Sequence, residues 1–359
     1  MALDRLAIVH RRMHQQRLAG EPFDTPAQVV GWLGAMQAQE YAEAKWSIAE
    51  RARDCTDVDV EEAFARGEIL RTHVLRPTWH FVTPADIRWL LELTAPRVHA
   101  ASRYWCKQSG LDRAVLQRSH EVVREALQPG EPLLRKELAE ALTLAGVEEA
   151  KGIRLGYIVM HAELEGLICS GPRRGKQHTY VLLDERVREA EGLTREQALA
   201  ALTLRYFLSH GPATVKDFSW WSGLTVADAK AGLEAVGDDL ESEQDDEGTS
   251  WFSSLQGGID SRAPGAFLIP TYDELGVAYK GLRMVLAEQP PRDGLLQRPI
   301  VIDGMAVGSW KRTVTKRSAT IHATLFKSPD NAQAAALDAV VERFGMFTGS
   351  PASLELTIA

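Results

Sequence analysis

The feature that most constrains the fold is an order of elements that occurs three times along the chain. In the clearest copy, residues 131–146 and 153–171 both have the apolar spacing of helices. The stretch that follows, RRGKQHTYVLLDE, predicts a hairpin with a basic turn. Helix, helix and hairpin in this order are typical of a winged helix, a variant of the helix-turn-helix that binds nucleic acid.

Two further copies are less regular. Helices are predicted at residues 195–211, 213–224 and 225–237, and DDLESEQDDEGTSWF then predicts an acidic wing. Near the N-terminus, helices through residues 29–36 and 58–67 precede EILRTHVLRPTWHFVTP, which predicts two short strands joined at a basic turn. Three tandem units of this kind form a repeat array.

From residue 263 onward the pattern changes to short β-rich runs separated by Gly and Pro. These runs predict a small antiparallel β-barrel, with a hairpin turn at Asp303-Gly304 and a helix at residues 331–345. We therefore expect an α+β fold of four domains. They are three winged helices at residues 1–110, 111–190 and 191–262, the first with a helical extension, and the barrel at 263–359.

Composition limits the possible partners. The formal net charge of -8 argues against a protein that coats nucleic acid over its whole surface, but it allows a localised basic face. Basic clusters at residues 10–17, 71–76, 173–178 and 310–317 would form such a face only if they converge. The three cysteines are far apart and predict neither a disulfide framework nor a metal site. No signal-peptide or membrane-spanning pattern occurs, so a cytoplasmic protein is expected.

The stretch GAMQAQE, residues 34–40, places two glutamines one residue apart beside apolar side chains. The sequence has no nucleophile elbow, phosphate-binding loop or metal motif. Glutamine does not titrate, so its chemistry must depend on orientation and polarisation. On a continuous helix, Gln37 and Gln39 would point about 200° apart, and they share one side only if the helix ends near Gln37. The alternative is a helix that continues, with one amide on a backbone group and the other in water.

Four dispersed stretches give this pair a context: WLGAMQAQEYAEAKWSIAER, ILRTHVLRPTWHFVTPADIRWLL, IPTYDEL and IDGMAVGSWKR. In this order they resemble the winged-helix DNA glycosylases of the AlkZ/YcaQ type, over residues 33–311. The resemblance implies three winged helices and a β-barrel around a concave face that binds duplex DNA. It also implies that Gln37 and Gln39 are catalytic, that the substrates are N7-alkylated purines, and that interstrand crosslinks through N7 of guanine are unhooked.

Two neutral amides suit this reaction. Alkylation at N7 makes the purine positively charged, so the base departs with little help from a general acid. Gln37 and Gln39 are expected to hold a water and to stabilise an oxocarbenium-like transition state, without a covalent intermediate, metal or cofactor. Lys45, the nearest lysine, is expected to lie too far away to form a Schiff base, so no lyase activity is expected.

Other residues are assigned supporting roles. Six side chains on the first two predicted wings are expected to contact DNA phosphates, and for each the alternative is a solvated turn residue: Arg71, His73, Arg76, Arg173, Arg174 and Lys176. Trp79 and His80 are expected to pack or stack near the lesion, although tryptophan beside a β-run is more often core. Tyr272 and Asp273 lie in a stretch that carries the resemblance, without a derived role.

Two other functions are compatible with the sequence. A winged-helix transcriptional regulator without enzymatic activity would dimerise on a palindromic site and prefer one sequence. A protein-binding array would be consistent with the acidic third wing and would not bind duplex DNA. A glycosylase is expected instead to be a monomer, indifferent to sequence, with a shallow groove that admits a lesion tied to both strands.

Overall fold

The computed structural model describes residues 4–128, 130–147, 150–187, 192–254, 265–281, 285–286, 297–315 and 317–359. Its first section runs from α1 to α5: α1 (Arg5–Gln15), α2 (Pro26–Leu33), β1 (Met36–Gln37), α3 (Tyr41–Ala49), α4 (Asp57–Arg66), β2 (Leu70–Val74), β3 (Arg76–Val82) and α5 (Ile87–Gln108). Local signals set several helix ends. Thr25 and Thr56 begin α2 and α4 with capping boxes, in which a side chain and a backbone N–H are satisfied reciprocally.

Two further sections follow. The second consists of α6 (Arg113–Leu127), β4 (Leu133–Leu134), α7 (Arg135–Leu144), α8 (Gly152–Leu164), β5 (Ile168–Arg174), β6 (Gln177–Leu182) and α9 (Leu183–Arg186). The third consists of α10 (Arg195–His210), α11 (Val215–Ser222), α12 (Val226–Val236), β7 (Leu240–Gln244) and β8 (Ser250–Ser254). None of the helices that the structure describes is long and apolar enough to cross a membrane.

The three sections share one pairing scheme. Each ends in an antiparallel pair of strands: β2–β3, β5–β6 and β7–β8. A shorter strand precedes α3 in the first section and α7 in the second. This strand pairs with the later strand of the hairpin, as β1 does with β3 and β4 with β6. In the third section Ala213 forms the equivalent bridge to Phe252 of β8. Helix, short strand, two helices and hairpin therefore follow one another three times, and the glutamine segment occupies the short strand of the first section.

An apolar core joins the three sections. Leu70 and Trp89 from the first section, Met160 from the second, and Tyr206 and Trp221 from the third belong to one buried cluster. Burying a large apolar side chain stabilises a fold by about 1.5–3 kcal/mol, so this shared cluster holds the sections against one another. The strands of each section are consequently positioned by packing between sections as well as within them.

The two short strands predicted here are β2 and β3, and the turn that joins them is buried. The turn residue, Leu75, is buried and has a φ of 62°. Its N–H donates to Thr94 Oγ1 of α5 at 3.1 Å. A Cβ atom on Gly223, at the end of α11, would lie 2.3 Å from the Leu75 carbonyl oxygen. The turn is therefore enclosed by packing against α5 and the third section.

The C-terminal section contains β9 (Ala266–Leu268), α13 (Glu274–Val277), β10 (Val285–Leu286), β11 (Pro299–Ile302), β12 (Met305–Val314), β13 (Ala319–Leu325), α14 (Asn331–Thr348) and β14 (Ala352–Ile358). Asp303 and Gly304, with φ of 50° and 77°, form the two-residue turn between β11 and β12, which confirms the predicted hairpin. The helix predicted at residues 331–345 is α14, which runs on to Thr348 and buries Phe344 and Phe347 against the sheet.

In the part of the chain that the structure describes, the predicted β-barrel is an open sheet. Its strand order is β14-β13-β12-β11-β9, with β10 beside β12, and the two end strands do not pair with each other. The reason is the connection between β13 and β14. Because α14 crosses over between them, β14 runs parallel to β13, and the helix covers one face of the sheet. The mixed α and β composition is as expected, whereas barrel closure is not found.

Candidate active site

The two glutamines lie on an extended segment between α2 and α3. Helix α2 stops at Leu33, and Gly34 follows with a φ of 79°, a conformation that favours glycine. The next residues form β1, in which Gln37 is paired with His80 of β3. Ala38 continues the pairing, since its N–H donates to the Trp79 carbonyl oxygen at 2.7 Å. The helix therefore ends before the pair, which is the condition under which the two side chains can share one side.

Gln37 is held at two points. Its backbone N–H donates to Glu274 Oε1 at 2.9 Å, and its side-chain Oε1 accepts from the Arg76 guanidinium at 3.1 Å. Because arginine only donates hydrogen bonds, this contact also decides which way the amide is turned. The NH2 group is left without a partner among the described residues, and the side chain is 8% exposed. Gln37 is thus a fixed, partly accessible donor.

Arg76 and Glu274 form the polar support of Gln37. Burial lowers the pKa of the Arg76 guanidinium, and the negative charge of Glu274 opposes that shift. Glu274 is 1% exposed, and its second oxygen accepts from Trp221 Nε1 at 2.9 Å. Both oxygens of this buried carboxylate therefore have hydrogen-bond donors. The site contains an acidic side chain directly beside the glutamine segment.

Arg71 supports the segment from the other side of the sheet. Its Nε–H donates to the Ala38 carbonyl oxygen at 3.1 Å, and its guanidinium lies 4.4 Å from the Trp79 ring centroid. Burial lowers the pKa of Arg71 to about 10, so the side chain remains charged at neutral pH. Arg71, which was expected to contact phosphate, is 4% exposed, and its described contacts are with the protein.

Trp79 and His73 belong to the same support. The two rings lie 4.3 Å apart, and both contact the buried carboxylate of Glu163 on α8. His73 Nδ1 is hydrogen-bonded to one Glu163 oxygen, and Trp79 Nε1–H lies 3.4 Å from the other. His73 is 5% exposed, so it is committed to this network, whereas Trp79 is half-buried. The second section thereby fixes the aromatic side chain next to Ala38.

His80, opposite Gln37, is completely buried and neutral. Burial and then the nearby Arg76 charge lower its pKa well below the usual value. Its Nδ1–H donates to the Thr78 carbonyl oxygen at 2.9 Å, which leaves Nε2 as an unprotonated acceptor without a hydrogen-bond partner. A neutral ring in this tautomer cannot serve as a proton donor towards the site.

Gln39 has no hydrogen-bond partner among the described residues and is partly exposed. The chain after it turns into α3, whose first residue, Tyr41, donates to Glu61 at 3.2 Å. Lys45 is 3% exposed, with its Nζ 2.8 Å from the Asp57 carboxylate and 2.9 Å from Glu61. Gln39 therefore offers a free amide, while the nearest lysine in sequence is engaged by two carboxylates.

The predicted basic turn of the second section reaches this region. Arg173 lies 4.8 Å from the Tyr41 ring centroid and 3.2 Å from Glu61. Arg174 is half-exposed and pairs with Glu137 at 2.7 Å. Lys176 is exposed and has no ion-pair partner among the described residues. Six basic residues were expected to contact DNA. Arg174 and Lys176 of this turn are exposed, Arg76 and Arg173 are partly buried, and Arg71 and His73 are buried.

The stretch with Tyr272 and Asp273 passes beside the glutamine segment. Asp273 is buried and pairs with both terminal nitrogens of Arg51, at 2.7 and 2.8 Å. Burial alone would raise the pKa of Asp273, but the Arg51 charge lowers it below its usual range. The flanking Thr271 N–H donates to Glu43 of α3 at 3.3 Å. Tyr272 is 37% exposed, so its ring is presented between two anchored neighbours.

Sequence reasoning missed the acidic supports of the site: Glu274, Glu163, Glu61 and Glu43. Glu274 follows Asp273 in a stretch that carried the resemblance, so its position was the available signal. The others are acidic residues inside helices, where a solvated face is the usual interpretation. Within the described ranges, no group of three His, Cys, Asp or Glu side chains converges near Gln37, so the site has no metal-binding arrangement of its own.

The chain is similar to known DNA repair proteins. A family model described as DNA glycosylase AlkZ-like matches residues 30–347. An interstrand DNA cross-link repair glycosylase from Streptomyces sahachiroi is 28% identical over 322 residues, which cover 84% of this chain and 85% of that protein. The solved structure of Streptomyces sahachiroi DNA glycosylase AlkZ aligns with a TM-score of 0.80 at 21% identity, covering 100% of both chains. This structural likeness shows a shared fold.

Proposed function

The chain belongs to the AlkZ-like DNA glycosylase family, and we propose that it hydrolyses the bond between deoxyribose and an N7-alkylated purine in duplex DNA. We propose further that crosslinks through N7 of guanine are unhooked by the same cleavage, in base excision repair. The observation that carries this proposal is the pair of amides on an extended segment, one fixed by Arg76 and the other without a partner among the described residues.

The reaction starts from a base that is already positively charged. When the bond from C1′ to N9 breaks, its electron pair moves onto the purine and cancels that charge, so no proton donor is needed. The deoxyribose becomes oxocarbenium-like, and the oxygen of a water forms the new bond at C1′ and releases a proton to solvent. The protein must therefore supply position and a polar environment, which oriented amides provide.

The two glutamines have different roles in this proposal. Arg76 holds Gln37 Oε1, so the accessible NH2 group of Gln37 donates to an oxygen of the DNA and orients the deoxyribose. Gln39 is free to accept a hydrogen bond from the attacking water through its Oε1. The buried Glu274 charge favours the developing positive charge on the sugar. No covalent enzyme intermediate is required, and Lys45, held by two carboxylates, does not form a Schiff base.

The three sections with the same order of elements are proposed to be winged helices, at residues 1–110, 111–190 and 191–262, followed by the C-terminal sheet section at 263–359. Arg173, Arg174 and Lys176 of the β5–β6 turn then contact phosphates. The enclosed Arg71 and His73, together with Arg76, position the segment that carries the glutamines. The protein acts as a monomer, because a lesion has no defined sequence symmetry to match a dimer.

The substrate class follows from the accessibility of the site. A crosslinked base is tied to both strands and cannot be rotated freely into a closed pocket. We propose that Gln39 lies in an open groove, which admits bulky and crosslinked N7 lesions as well as N7-methylguanine. The relative from Streptomyces sahachiroi is named an interstrand DNA cross-link repair glycosylase, which is consistent with this class of substrate.

The test is incubation of the purified protein with duplexes that carry a single N7-methylguanine or a single N7 crosslink. Release of the base is followed as alkali-labile strand breaks, and unhooking as loss of the slow-migrating crosslinked species. Gln39→Ala and Gln37→Ala are compared with the exposed control Gln117→Ala. We expect losses of about 100-fold or more in single-turnover rate for Gln39→Ala and smaller losses for Gln37→Ala.

Full activity in both variants would remove the glutamines from the mechanism. Binding of wild-type protein to one preferred DNA sequence, without base release from any N7-alkylated duplex, would indicate a transcriptional regulator instead.

A further inference from the structure

A cluster of histidines lies away from the glutamine segment, where α5, α6 and α8 meet. His99 comes from α5, His120 from α6 and His161 from α8, and Glu165 directly follows the end of α8. The rings of His99 and His161 are 4.5 Å apart, and those of His120 and His161 are 5.0 Å apart. Four potential metal ligands from three helices thus meet at one place.

The donor atoms are close enough to share one ion. One ligand atom each of His99, His161 and Glu165 lies within 4.8 Å of the other two. In a tetrahedral zinc site with bonds of about 2.1 Å, ligand atoms are about 3.4 Å apart, so small side-chain movements complete the geometry. His161 and Glu165 are one helical turn apart and therefore lie on the same face.

His99 Nε2 shows why an ion fits here. It lies 2.9 Å from Glu165 Oε1, yet it is buried and makes no hydrogen bond of acceptable geometry. The two atoms lie close together without forming a hydrogen bond, as two ligands of one ion do. On the other side, His161 Nδ1 lies 3.1 Å from His120 Nε2. This contact resembles the outer hydrogen bond that fixes the ring of a metal-ligating histidine.

We propose that His99, His161 and Glu165 bind one divalent transition-metal ion, with Zn²⁺ the fitting ion and a water as fourth ligand. Two imidazoles and one carboxylate are donors that suit zinc better than Mg²⁺, which requires mainly oxygen. The position is accessible, because His99 borders cavities of about 310 and 460 Å³ on its two sides.

The ion would clamp α5 to α8. Helix α8 also carries Glu163, which holds His73 and Trp79 beside the glutamine segment. The site therefore lies at the junction of the first and second sections, apart from the glutamine segment. The sequence did not indicate it, because its ligands come from separate helices with no short metal-binding spacing.

The test uses full-length protein stripped with a chelator and titrated with Zn²⁺ in competition with a chromophoric chelator. We expect one equivalent per chain, a rise in Tm of about 2–4 °C, and, with Co²⁺, the visible absorption of a four-coordinate site. His99→Ala and the conservative Glu165→Gln should abolish all three, and His120→Ala should weaken binding about 10–100-fold. The matched control is His322→Ala, which removes an exposed histidine that contacts a single carboxylate, Glu355.

Wild-type protein that binds no Zn²⁺ would overturn the proposal without any variant. The same holds if Glu165→Gln, in which half-exposed Glu165 is replaced by an isosteric residue, retains the full equivalent. The proposal would also be overturned if His322→Ala lost as much Zn²⁺ binding as His99→Ala does. The loss would then not be specific to the three assigned ligands.

Discussion

The Gln37 N–H donates to Oε1 of Glu274, 237 residues later in the chain, at 2.9 Å. The C-terminal section thus reaches the glutamine segment of the first section through one buried carboxylate. The same carboxylate accepts from Trp221 of the third section at 2.9 Å. A single side chain therefore connects three parts of the molecule at the point where the amides are presented.

Replacing Glu274 by glutamine should slow base release without weakening DNA binding. Glutamine has one acceptor oxygen, so either Gln37 N–H or Trp221 Nε1–H would face an NH2 group. We expect kcat to fall about 10–100-fold with KM for DNA unchanged, because the segment is displaced while the DNA contacts remain. The free energy of unfolding should fall by about 1–3 kcal/mol. Single-turnover kinetics and urea unfolding measure the two effects.

The control for this variant is Glu50→Gln, which alters another buried carboxylate that accepts from a backbone N–H, that of Leu268. It should leave kcat unchanged. An equal loss of kcat in both variants would mean that Glu274 acts only through general stability.

Tyr272→Ala should weaken binding to damaged DNA. The ring is exposed between Thr271 and Asp273, which are both anchored, so it can stack on a base exposed by the lesion. Stacking on an aromatic side chain contributes about 1–3 kcal/mol per base, so we expect a rise in Kd of about 5–100-fold. Tyr272→Phe should bind as wild type does. Tyr104→Ala, which removes an exposed tyrosine of α5, is the control in fluorescence anisotropy.

Removing Lys176 or Arg174 should change the salt dependence of DNA binding. Each lost phosphate contact reduces the slope of log K against log salt by about 0.9, because fewer counterions are released. We expect this for Lys176→Ala and Arg174→Ala, and no change for Lys327→Ala, an exposed lysine after β13. Binding isotherms at four salt concentrations measure the slope. Unchanged slopes in both wing variants would place the DNA elsewhere.

Lys45→Met should retain base release, and wild-type protein should not be trapped on DNA by borohydride. The ammonium of Lys45 is engaged by Asp57 and Glu61, so it is not available as a free amine. The variant should lose about 1–3 kcal/mol of folding stability, as expected for hydrogen bonds to charged groups. A covalent complex after borohydride treatment that disappears in Lys45→Met would contradict the hydrolytic mechanism.

Glu50 should make the protein less stable as the pH rises. Burial raises the pKa of Glu50 to about 8, although Arg343 nearby opposes the shift. The folded state therefore holds a proton that the unfolded state has released above its ordinary pKa. This contribution is complete below about pH 4.5 and is lost by about pH 8, with a slope of about 1.4 kcal/mol per pH unit between them. Urea unfolding of wild type and Glu50→Gln across this range should show a shallower decline in the variant.

The local parts of the fold could be predicted from the sequence. The helix predicted through residues 29–36 is found as α2, although it ends at Leu33, and the β-rich stretch from Thr179 is found as part of β6, because such signals lie within a few residues. The chemistry of the pair Gln37 and Gln39 came from the resemblance and not from periodicity. The short segments that correspond to β1 in the other two sections carry Leu134 and Ala213, so the common framework alone does not indicate a site.

The long-range parts could not be predicted. Glu274, Glu163 and Arg76 acquire their roles from partners that are distant in sequence, and no local pattern separates them from solvated charges. The burial of the turn between β2 and β3 could not be predicted, because it comes from packing between sections, which a local pattern does not contain. Barrel closure was wrong because it depends on how the last strand returns after α14.

The tight approach of Gly223 to Leu75 makes the hairpin of the first section dependent on a glycine of the third section. Any side chain at position 223 would push the turn, and with it Arg76, out of register with Gln37. A substitution at position 223, in the third section, would therefore displace the glutamine segment of the first section. A search for inactivating substitutions has to include this packing contact as well as the surroundings of Gln37 and Gln39.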